Sequence, residues 1–322
     1  MKAVLRVLRV SLLLVFGVAA GGAAAQYPSK PIRLIVPFPP SGAAELAART
    51  WSQALGQGLG QPVVVEARPG GDGVIAAEAV LKSPADGYTL FFGTNTAMSW
   101  VPASRKAPPY DPVADFTAIS DVGRFGFFLF TNPGVPATTV AELIAHVRAN
   151  PGKLNYGTGN SFSIMTSAQL KMSQKLDIVH IPYKGDAPLT IDLLGGRVQM
   201  AFATPGTALA QVKDGRLRAL ATMLPNRSPL LPDVPTTAEA GLTGVSLTAW
   251  GGLFGPAKMP REVVERLNKE FAAAMARPDV MAAMDKQAFV LLPSSPERLG
   301  AFVKEQMESY RNILRAAGVQ PE

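Results

Sequence analysis

The sequence predicts an α/β fold built around mostly parallel sheets. From Ile32 onward, short runs rich in β-branched and aromatic residues alternate with stretches of helical periodicity, which is the order of parallel βα units. The chain has 322 residues, 48% hydrophobic and 17% charged, which is enough for one large or two medium packed domains. It has no cysteine, so we expect a core that needs no disulfide.

Each expected strand is a short run of this kind, and the expected helices lie between the strands and after the last of them. The strands are Ile32–Val36, Val63–Glu66, Tyr88–Phe92, Thr117–Val122, Phe127–Thr131, Val179–Ile181, Gln199–Phe202 and Leu217–Thr222. The helices are Ala43–Leu55, Val74–Lys82, Val140–Asn150, Ile164–Gln174, Ala187–Leu194, Ala208–Asp214, Pro260–Met275 and Pro296–Ala317. Gly56, Gly195 and Gly215 stand where helices commonly end in a left-handed residue.

The charge balance does not indicate a nucleic-acid partner. The formal charge is +7, from 31 basic and 24 acidic residues, but Lys2, Arg6 and Arg9 lie in an amino-terminal segment without acids. Without that segment the charge is 28 minus 24, or +4, and the basic residues are interspersed with acids. This is the pattern of an ordinary solvated surface.

The first 25 residues are typical of a signal peptide. Basic residues precede an apolar stretch from Val10 to Ala20, and small residues lead to a cleavage site expected after Ala25. The alternative is a membrane anchor, but the apolar stretch is shorter than the roughly 20 residues that a spanning helix needs. We therefore expect an exported protein.

The side chains available for catalysis are few. The chain has two histidines: His146 falls on a helical surface, and His180 alternates with apolar residues in a strand. No nucleophile elbow, zinc-protease, phosphate-loop or dinucleotide motif is present. We therefore expect no catalytic residue, no bound metal and no cofactor.

Two strand–loop–helix junctions are built from small and hydroxylated residues instead. One runs from Ile35 to Glu45, and the other from Asn155 to Ser163. At such a junction the unpaired N–H groups of the helix start point to one spot and favour an anion, so a carboxylate is the natural ligand. Pro69–Gly73 and Gly93–Thr96 have a similar composition and also follow strands, where α/β sheets gather their ligands. The alternative is that these residues only cap helices.

The chain resembles the Bug-type receptors of the tripartite tricarboxylate transporter family along essentially its whole length after the signal peptide. The resemblance rests on an ordered set of short motifs. These are Tyr27–Phe38, Gly60–Glu66 with Arg68–Gly70, Asp86–Leu90, Tyr110–Val113 with Asp115 and Phe116, Asn150–Tyr156, Pro182–Gly185 with Ala187 and Pro188, Asp192–Gly196, Leu231–Thr236 and Ala238–Leu242.

The resemblance implies a two-domain periplasmic binding protein of the type II-like kind, which closes on a small carboxylate and delivers it to an integral-membrane permease. It implies no catalysis and no cofactor, and we expect a monomer. Because the chain of such relatives crosses between domains twice, residues 26–124 with 245–322 are the expected first domain. Residues 125–244 are the expected second domain.

Several loop positions depart from the family pattern. Ser41 stands where the family usually has Gly, and Glu45 where it has Asp. Phe162 and Met165 replace smaller or more polar residues, and Asp186 replaces Ser or Ala. If Glu45, Asp72 and Asp186 face the cleft, like-charge repulsion disfavours a second ligand carboxylate. The hypothesis is a monocarboxylate, or an amino acid whose ammonium meets Asp186 or Glu45, in preference to citrate; the alternative is that the acids only cap helices or face solvent.

The expected ligand contacts come from backbone and hydroxyl groups of the junctions. They are Phe38, Ser41, Gly42, Ala43, Thr94, Thr158, Gly159, Asn160, Ser161, Ser163, Asp186 and Thr204. Two other functions remain open. The same fold can present its ligand to a sensor kinase, and a secreted hydrolase would use Ser161 or Ser163 as nucleophile, although the sequence shows no base positioned for either.

Overall fold

The computed structural model describes residues 27–40, 43–206, 208–242, 244–245 and 247–316. The expected signal peptide, Ser41, Gly42 and the expected helix end at Ala317 lie outside these described residues. Within them the α/β prediction is confirmed, because helices cover two separate sheets. We call the elements around the six-stranded sheet the first lobe and those around the five-stranded sheet the second lobe.

The first lobe takes its elements from both ends of the described chain. Its strands are β1 (Ile32–Val36), β2 (Val63–Ala67), β3 (Thr89–Thr94), β4 (Phe116–Phe125), β10 (Trp250–Pro256) and β11 (Phe289–Leu291). Its helices are α1 (Ala43–Leu59), α2 (Val74–Leu81), α3 (Val101–Ser104), α8 (Arg261–Met275), α9 (Pro278–Asp285) and α10 (Pro296–Ala316). A 3-10 turn, Gly71–Gly73, precedes α2, and a π-helical turn, Thr96–Trp100, precedes α3.

The second lobe is continuous in sequence. Its strands are β5 (Phe128–Thr131), β6 (Asn155–Thr158), β7 (Val179–Pro182), β8 (Met200–Ala203) and β9 (Arg218–Thr222). Its helices are α4 (Val140–Ala149), α5 (Ser161–Ser173), α6 (Asp186–Leu194) and α7 (Ala208–Lys213). Both α4 and α5 begin at a capping box, in which the side chains of the residue before the helix and of its third residue each bond the other's backbone N–H.

The sheets are mixed. The orders are β11-β4-β10-β3-β1-β2 and β7-β6-β8-β5-β9. Strand β1 is parallel to β2 and β3, and β6 is parallel to β7 and β8. The strands that adjoin the crossings between lobes, β4, β5, β9 and β10, pair antiparallel with their neighbours. The parallel half of each sheet therefore retains the βα order of the sequence, and the antiparallel half connects the lobes.

The sequence prediction missed strands β6, β10 and β11 and helices α3 and α9, and for three of them the reason is identifiable. Strand β10 contains three glycines and a proline, which have low strand propensity, yet every residue in it is buried. Its glycines are required by packing, because a Cβ on Gly251 would lie 2.4 Å from the Phe92 ring. Strand β11 has only three residues and helix α9 only eight, so neither carries a clear period.

Helix α1 runs past the predicted end. Gly56 lies inside the helix, and the chain leaves it at Gly60, where φ is +72°. The reason is tertiary: a Cβ on Gly56 would lie 3.1 Å from the carbonyl oxygen of Gln61, so glycine allows close packing there. None of the described helices is both long and apolar enough to cross a bilayer.

An apolar cluster joins the lobes. Phe162 and Met165 of α5 pack with Phe127 at the crossing and with Tyr310 and Leu314 of α10. The rings of Phe127 and Phe162 lie 4.6 Å apart between centroids. Phe162 is therefore a buried packing residue of the interlobe contact.

Candidate functional site

The sheet topology gathers six strand ends into two groups. In the first lobe the parallel strands β1, β2 and β3 end at Val36, Ala67 and Thr94. In the second lobe β6, β7 and β8 end at Thr158, Pro182 and Ala203. Because parallel strands share one carboxyl edge, each group of loops lies at one edge of its sheet, where α/β proteins bind ligands.

The first-lobe loops touch one another. A Cβ built on Gly73 would lie 3.0 Å from the Cβ of Pro37 and 3.0 Å from the Cβ of Ala97. The loop after β2 therefore lies directly against the loop after β1 and the turn after β3. Phe38 packs partly buried on the first-lobe core, and Ala43, the first residue of α1, is exposed.

Glu45 is turned into the protein. Its side chain is 2% exposed, and its carboxylate accepts a hydrogen bond from the Arg49 guanidinium one helical turn later. An ion pair within α1 therefore compensates the Glu45 charge. This ion pair is not among the contacts that the sequence predicts for Glu45.

Thr94 has an unusual environment. It is the last residue of β3 and 2% exposed, and its Oγ1 has no hydrogen-bond partner among the described residues. Burying a hydroxyl without a partner costs about 1–3 kcal/mol. On the same face of this sheet lie Phe92 and Val36, so the hydroxyl stands beside the end of β1 where the first junction begins. Within the described structure, the Thr94 hydroxyl is therefore free to donate a hydrogen bond at the carboxyl end of β3.

The loop after β2 has an unusual backbone conformation. Gly70, Gly71, Asp72 and Gly73 all have positive φ, at 125°, 56°, 58° and 93°. Glycine adopts these angles without steric cost, and Asp tolerates the left-handed region better than most residues. Asp72 is thus the one residue of this four-residue loop that carries a side chain, and it is exposed.

The start of α5 is held by its own side chains. Asn160 Oδ1 accepts a hydrogen bond from Ser163 N at 2.9 Å. Ser163 Oγ donates to the Asn160 carbonyl at 2.8 Å and accepts from the N–H groups of Gly159 and Asn160 at 3.1 and 3.2 Å. The Ser163 hydroxyl is fully buried in this cap. The hydrogen-bonding capacity of Ser163 is therefore used within the second lobe.

Asp186 ties the three second-lobe loops together. Its Oδ2 accepts hydrogen bonds from Thr204 N at 3.0 Å and from Thr204 Oγ1 at 2.7 Å. Its Oδ1 accepts from Asn160 Nδ2 at 3.2 Å. Burial raises the pKa of the Asp186 carboxyl, and the hydrogen bonds from Thr204 and Asn160 oppose that rise. Asp186 therefore links α5, α6 and the end of β8.

Gly159 is packed against this acid. A Cβ on Gly159 would lie 2.4 Å from Asp186 Oδ1 and 2.7 Å from the Gly185 carbonyl carbon. Only a residue without a side chain leaves room for the carboxylate beneath the start of α5. The sequence reasoning assigned Gly159 as a backbone ligand donor and did not anticipate this packing role.

Thr158 pairs with a histidine that the sequence analysis treated as a plain strand residue. Thr158 Oγ1 lies 2.7 Å from His180 Nε2, and the His180 ring stacks on Tyr156 with centroids 4.9 Å apart. Thr158 is 1% exposed. Burial lowers the pKa of His180, and the positive charge of Lys171 lowers it further. The Thr158 hydroxyl is therefore already paired inside the lobe.

The two groups of loops meet across the cleft. Ser161 Oγ, at the first residue of α5, donates a hydrogen bond to Asp72 Oδ1 at 3.1 Å. The donor belongs to the second lobe and the acceptor to the first. The start of α5 therefore meets the loop after β2, and Gly73 of that loop lies against Pro37 of the first junction.

This arrangement is suited to an anion. The starts of α5 and α6 bring N–H groups and the positive ends of two helices to one edge. The expected ligand residues that the structure describes lie at the strand-end loops of the two lobes, although the side chains of Thr158, Asn160, Ser163, Asp186 and Thr204 already have partners. Across the part of the chain that the structure describes, no three His, Asp or Glu side chains converge as metal ligands.

Comparison with known proteins gives a family. The family model described as tripartite tricarboxylate transporter family receptor matches residues 47–319. The chain is 33% identical over 309 residues to protein BugT of Bordetella pertussis, a match that covers 94% of each chain.

Two solved structures of Rhodopseudomonas palustris proteins share the fold and contain ligands. Rpa4515 with adipate has a TM-score of 0.82 and 30% identity, covering 92% of this chain and all of that one. MatC with bound malate has a TM-score of 0.77 and 26% identity, covering 89% of this chain and all of that one. With two lobes whose strand-end loops face each other and a family match over most of its length, the chain belongs to the tripartite tricarboxylate transporter receptor family.

Proposed function

We propose that the protein is an exported receptor that captures a small carboxylate between its lobes and delivers it to a tripartite tricarboxylate-type permease in the membrane. The observation that carries the proposal is the meeting of the strand-end loops, joined by the hydrogen bond from Ser161 to Asp72. The N–H groups of two helix starts, together with the unpaired Thr94 hydroxyl, supply donors for one carboxylate.

The proposed domain division follows the crossings between the sheets. Residues 26–124 and 245–322 form the first domain in this proposal, and residues 125–244 form the second. The signal peptide is cleaved after about Ala25, and the mature protein acts in the periplasm. Two proteins of similar structure, a periplasmic transporter and the periplasmic binding protein BugD, support this location.

We further propose that a monocarboxylate or an amino acid is preferred to citrate. Because Glu45 contacts Arg49 and Asp186 contacts Thr204 within their own lobes, Asp72 is the acid that we expect a ligand ammonium to meet. Asp72 stands at the junction of the lobes and disfavours additional negative charge. Adipate and malate in the two similar structures are dicarboxylates, so in this proposal the protein differs from those two in the charge of its preferred ligand.

The hydrogen-bond partners of Ser161 and Ser163, the two candidate nucleophiles, support a binding protein without catalytic activity. Ser161 donates to Asp72, and Ser163 is held in the α5 cap. The rings of the two histidines contact Thr158 and Asn150 instead of either serine. A hydrolase needs a base within hydrogen-bond reach of its nucleophile. A receptor for a sensor kinase would use the same cleft and differ only in its docking surface.

Native mass spectrometry of protein purified without refolding tests the capture of a carboxylate, because a co-purified acid identifies itself by mass. Calorimetry with matched mono-, di- and tricarboxylates and with amino acids then ranks the ligands. We expect a monocarboxylate or an amino acid to bind most tightly. Tighter binding of citrate or a dicarboxylate than of every monocarboxylate and amino acid would overturn the preference. Binding of no carboxylate at all would overturn the receptor proposal.

Transport of the same ligand separates the two receptor functions. Deletion of the gene for this protein is expected to abolish uptake of the radiolabelled ligand by cells. Normal uptake with loss of ligand-induced transcription would favour presentation to a sensor kinase.

A further inference from the structure

The Gly70–Gly73 loop presents a single side chain to the opposite lobe. All four residues have positive φ, and three of them are glycine. A side chain at such a position is uncommon, although Asp tolerates left-handed backbone better than most residues, so its presence where the lobes meet calls for a functional explanation. That side chain is Asp72, and its carboxylate accepts a hydrogen bond from Ser161 Oγ across the cleft at 3.1 Å.

The partner of Asp72 is the first residue of α5, where a carboxylate is favoured. A carboxylate of the protein thus occupies a place, at the start of a helix, that attracts anions. No ion pair compensates the Asp72 charge in the described part of the chain, in contrast to Glu45, whose carboxylate pairs with Arg49. A ligand group placed beside Ser161 meets this negative charge.

We propose that Asp72 determines ligand specificity, an inference that rests on the proposed function. The hydrogen bond from Ser161 to Asp72, which we call the latch, holds the two lobes together. The charge of Asp72 disfavours ligands with a second carboxylate directed at the start of α5. A monocarboxylate leaves the latch intact. A dicarboxylate has to displace Asp72 from Ser161 or lie close to it, and either event costs affinity.

Three substitutions separate the charge of Asp72 from its hydrogen bond. Asp72→Asn keeps the shape, an acceptor oxygen and the tolerance for left-handed backbone, but removes the charge. Asp72→Gly removes both charge and acceptor and suits the backbone φ of 58°. Ser161→Ala removes the hydrogen bond and keeps the charge. Asp177→Asn is the matched control, because Asp177 is exposed and precedes the amino-terminal end of β7, at the edge opposite the loops.

The experiment is calorimetry of the mature protein and each variant with pairs of acids of equal length, such as hexanoate with adipate and butyrate with succinate. The measured quantity is the ratio of the dicarboxylate Kd to the monocarboxylate Kd. We expect Asp72→Asn and Asp72→Gly to lower this ratio by about fivefold, as for removal of one like charge in a solvated cleft. The decrease should be smaller in high salt.

We expect Ser161→Ala to lower the ratio less than the Asp72 variants do, because it removes the hydrogen bond and keeps the charge, and Asp177→Asn to change neither Kd. A ratio that stays within twofold of the wild-type value in both Asp72 variants overturns this inference, even when the protein binds carboxylates. If neither the wild type nor any variant binds any acid of the pairs, the proposed function itself fails, and the two failures are thereby distinguished.

Discussion

The two lobes offer opposite surfaces to the cleft. In the second lobe, the side chains of Asn160, Asp186 and Thr204 are joined in one hydrogen-bonded network, to which the backbone N–H of Ser163 also donates. In the first lobe, the loop after β2 is bare backbone apart from Asp72, and the buried Thr94 hydroxyl has no partner in the described structure. The second lobe therefore offers backbone N–H groups on a rigid frame, and the first lobe offers an unpaired side-chain donor.

This difference indicates how the site divides its tasks. Groups that already have partners hold the loops in place, because a satisfied buried network is rigid and costly to disturb. A group without a partner carries a desolvation cost that a ligand can relieve. Side-chain substitutions in the second lobe should therefore change stability first, and substitution of Thr94 should change affinity first.

The largest expected effect is that of Gly159→Ala in the second lobe. The new Cβ would lie 2.4 Å from Asp186 Oδ1 and 2.7 Å from the Gly185 backbone, so Asp186 or the loop has to move. We expect the free energy of unfolding, measured with urea, to fall by about 3 kcal/mol. Gly206→Ala is the control, because its nearest neighbour, Thr204 Oγ1, is 3.9 Å away. If the free energy of unfolding falls equally in the two variants, the hydrogen-bonded network of the second lobe is not rigid.

The next effect is that of Thr94→Val in the first lobe. Removing an unpaired buried hydroxyl should leave the free energy of unfolding unchanged or raise it by about 1 kcal/mol. Ligand affinity should fall about tenfold or more, as for loss of one hydrogen bond to a charged group. Calorimetry and urea unfolding measure the two quantities on the same protein.

Thr131→Val is the control for this prediction. Thr131 is also fully buried with an unpaired hydroxyl, but it pairs with Met200 at the amino-terminal end of β8, away from the loops. Its substitution should affect stability in the same way and leave the affinity unchanged. If the two valine variants bind the ligand equally well, Thr94 is not a ligand donor and the contrast between the lobes is lost.

The smallest expected effect concerns His180 beneath the second-lobe network. Its pKa is lowered from 6.5, chiefly by burial, so the folded protein favours the neutral ring. The contribution of His180 to the free energy of unfolding is therefore fully present above pH 6.5, and it is lost as the pH falls through the lowered pKa of the folded state. Between pH 7.5 and about 5.5, the melting temperature of His180→Gln should fall less than that of the wild type.

Lys171→Gln should lie between those two proteins, because Lys171 is the second cause of the lowered pKa. If the melting temperatures of all three proteins fall equally across this pH range, the protonation of His180 does not affect the stability of the second lobe.

Much of the architecture could be predicted from local patterns. The bounds of β1 and the starts of α1 and α2 agree with the runs seen in the sequence, since apolar periodicity and capping residues are local signals. Strand β10 could not be predicted, because its Gly251 and Gly252 make room for Phe92 and Leu299, which are distant in sequence. The first-lobe sheet is mixed because the same strand inserts antiparallel between β3 and β4.

The candidate site was predicted in part. The strand-end loops were identified from composition, because Gly, Ser, Thr and Asn before a helix mark an anion-binding start. Which of their side chains are free could not be read from composition. Asp186 and Ser163 have hydrogen-bond partners and Thr94 has none among the described residues, because the fold supplies different neighbours. The sequence alone did not distinguish Asp72 from Glu45 and Asp186, whereas the structure places Asp72 opposite Ser161.

The sequence by itself determined the α/β class, the junctions that favour an anion and the resemblance to a receptor family, since each depends on residues adjacent in the chain. The tertiary structure alone decided which polar groups are consumed by the scaffold, which hydroxyl is left unpaired and which acid crosses the cleft. Those properties depend on contacts between segments as far apart as Asp72 and Ser161, and no local pattern encodes a contact between loops of different sheets.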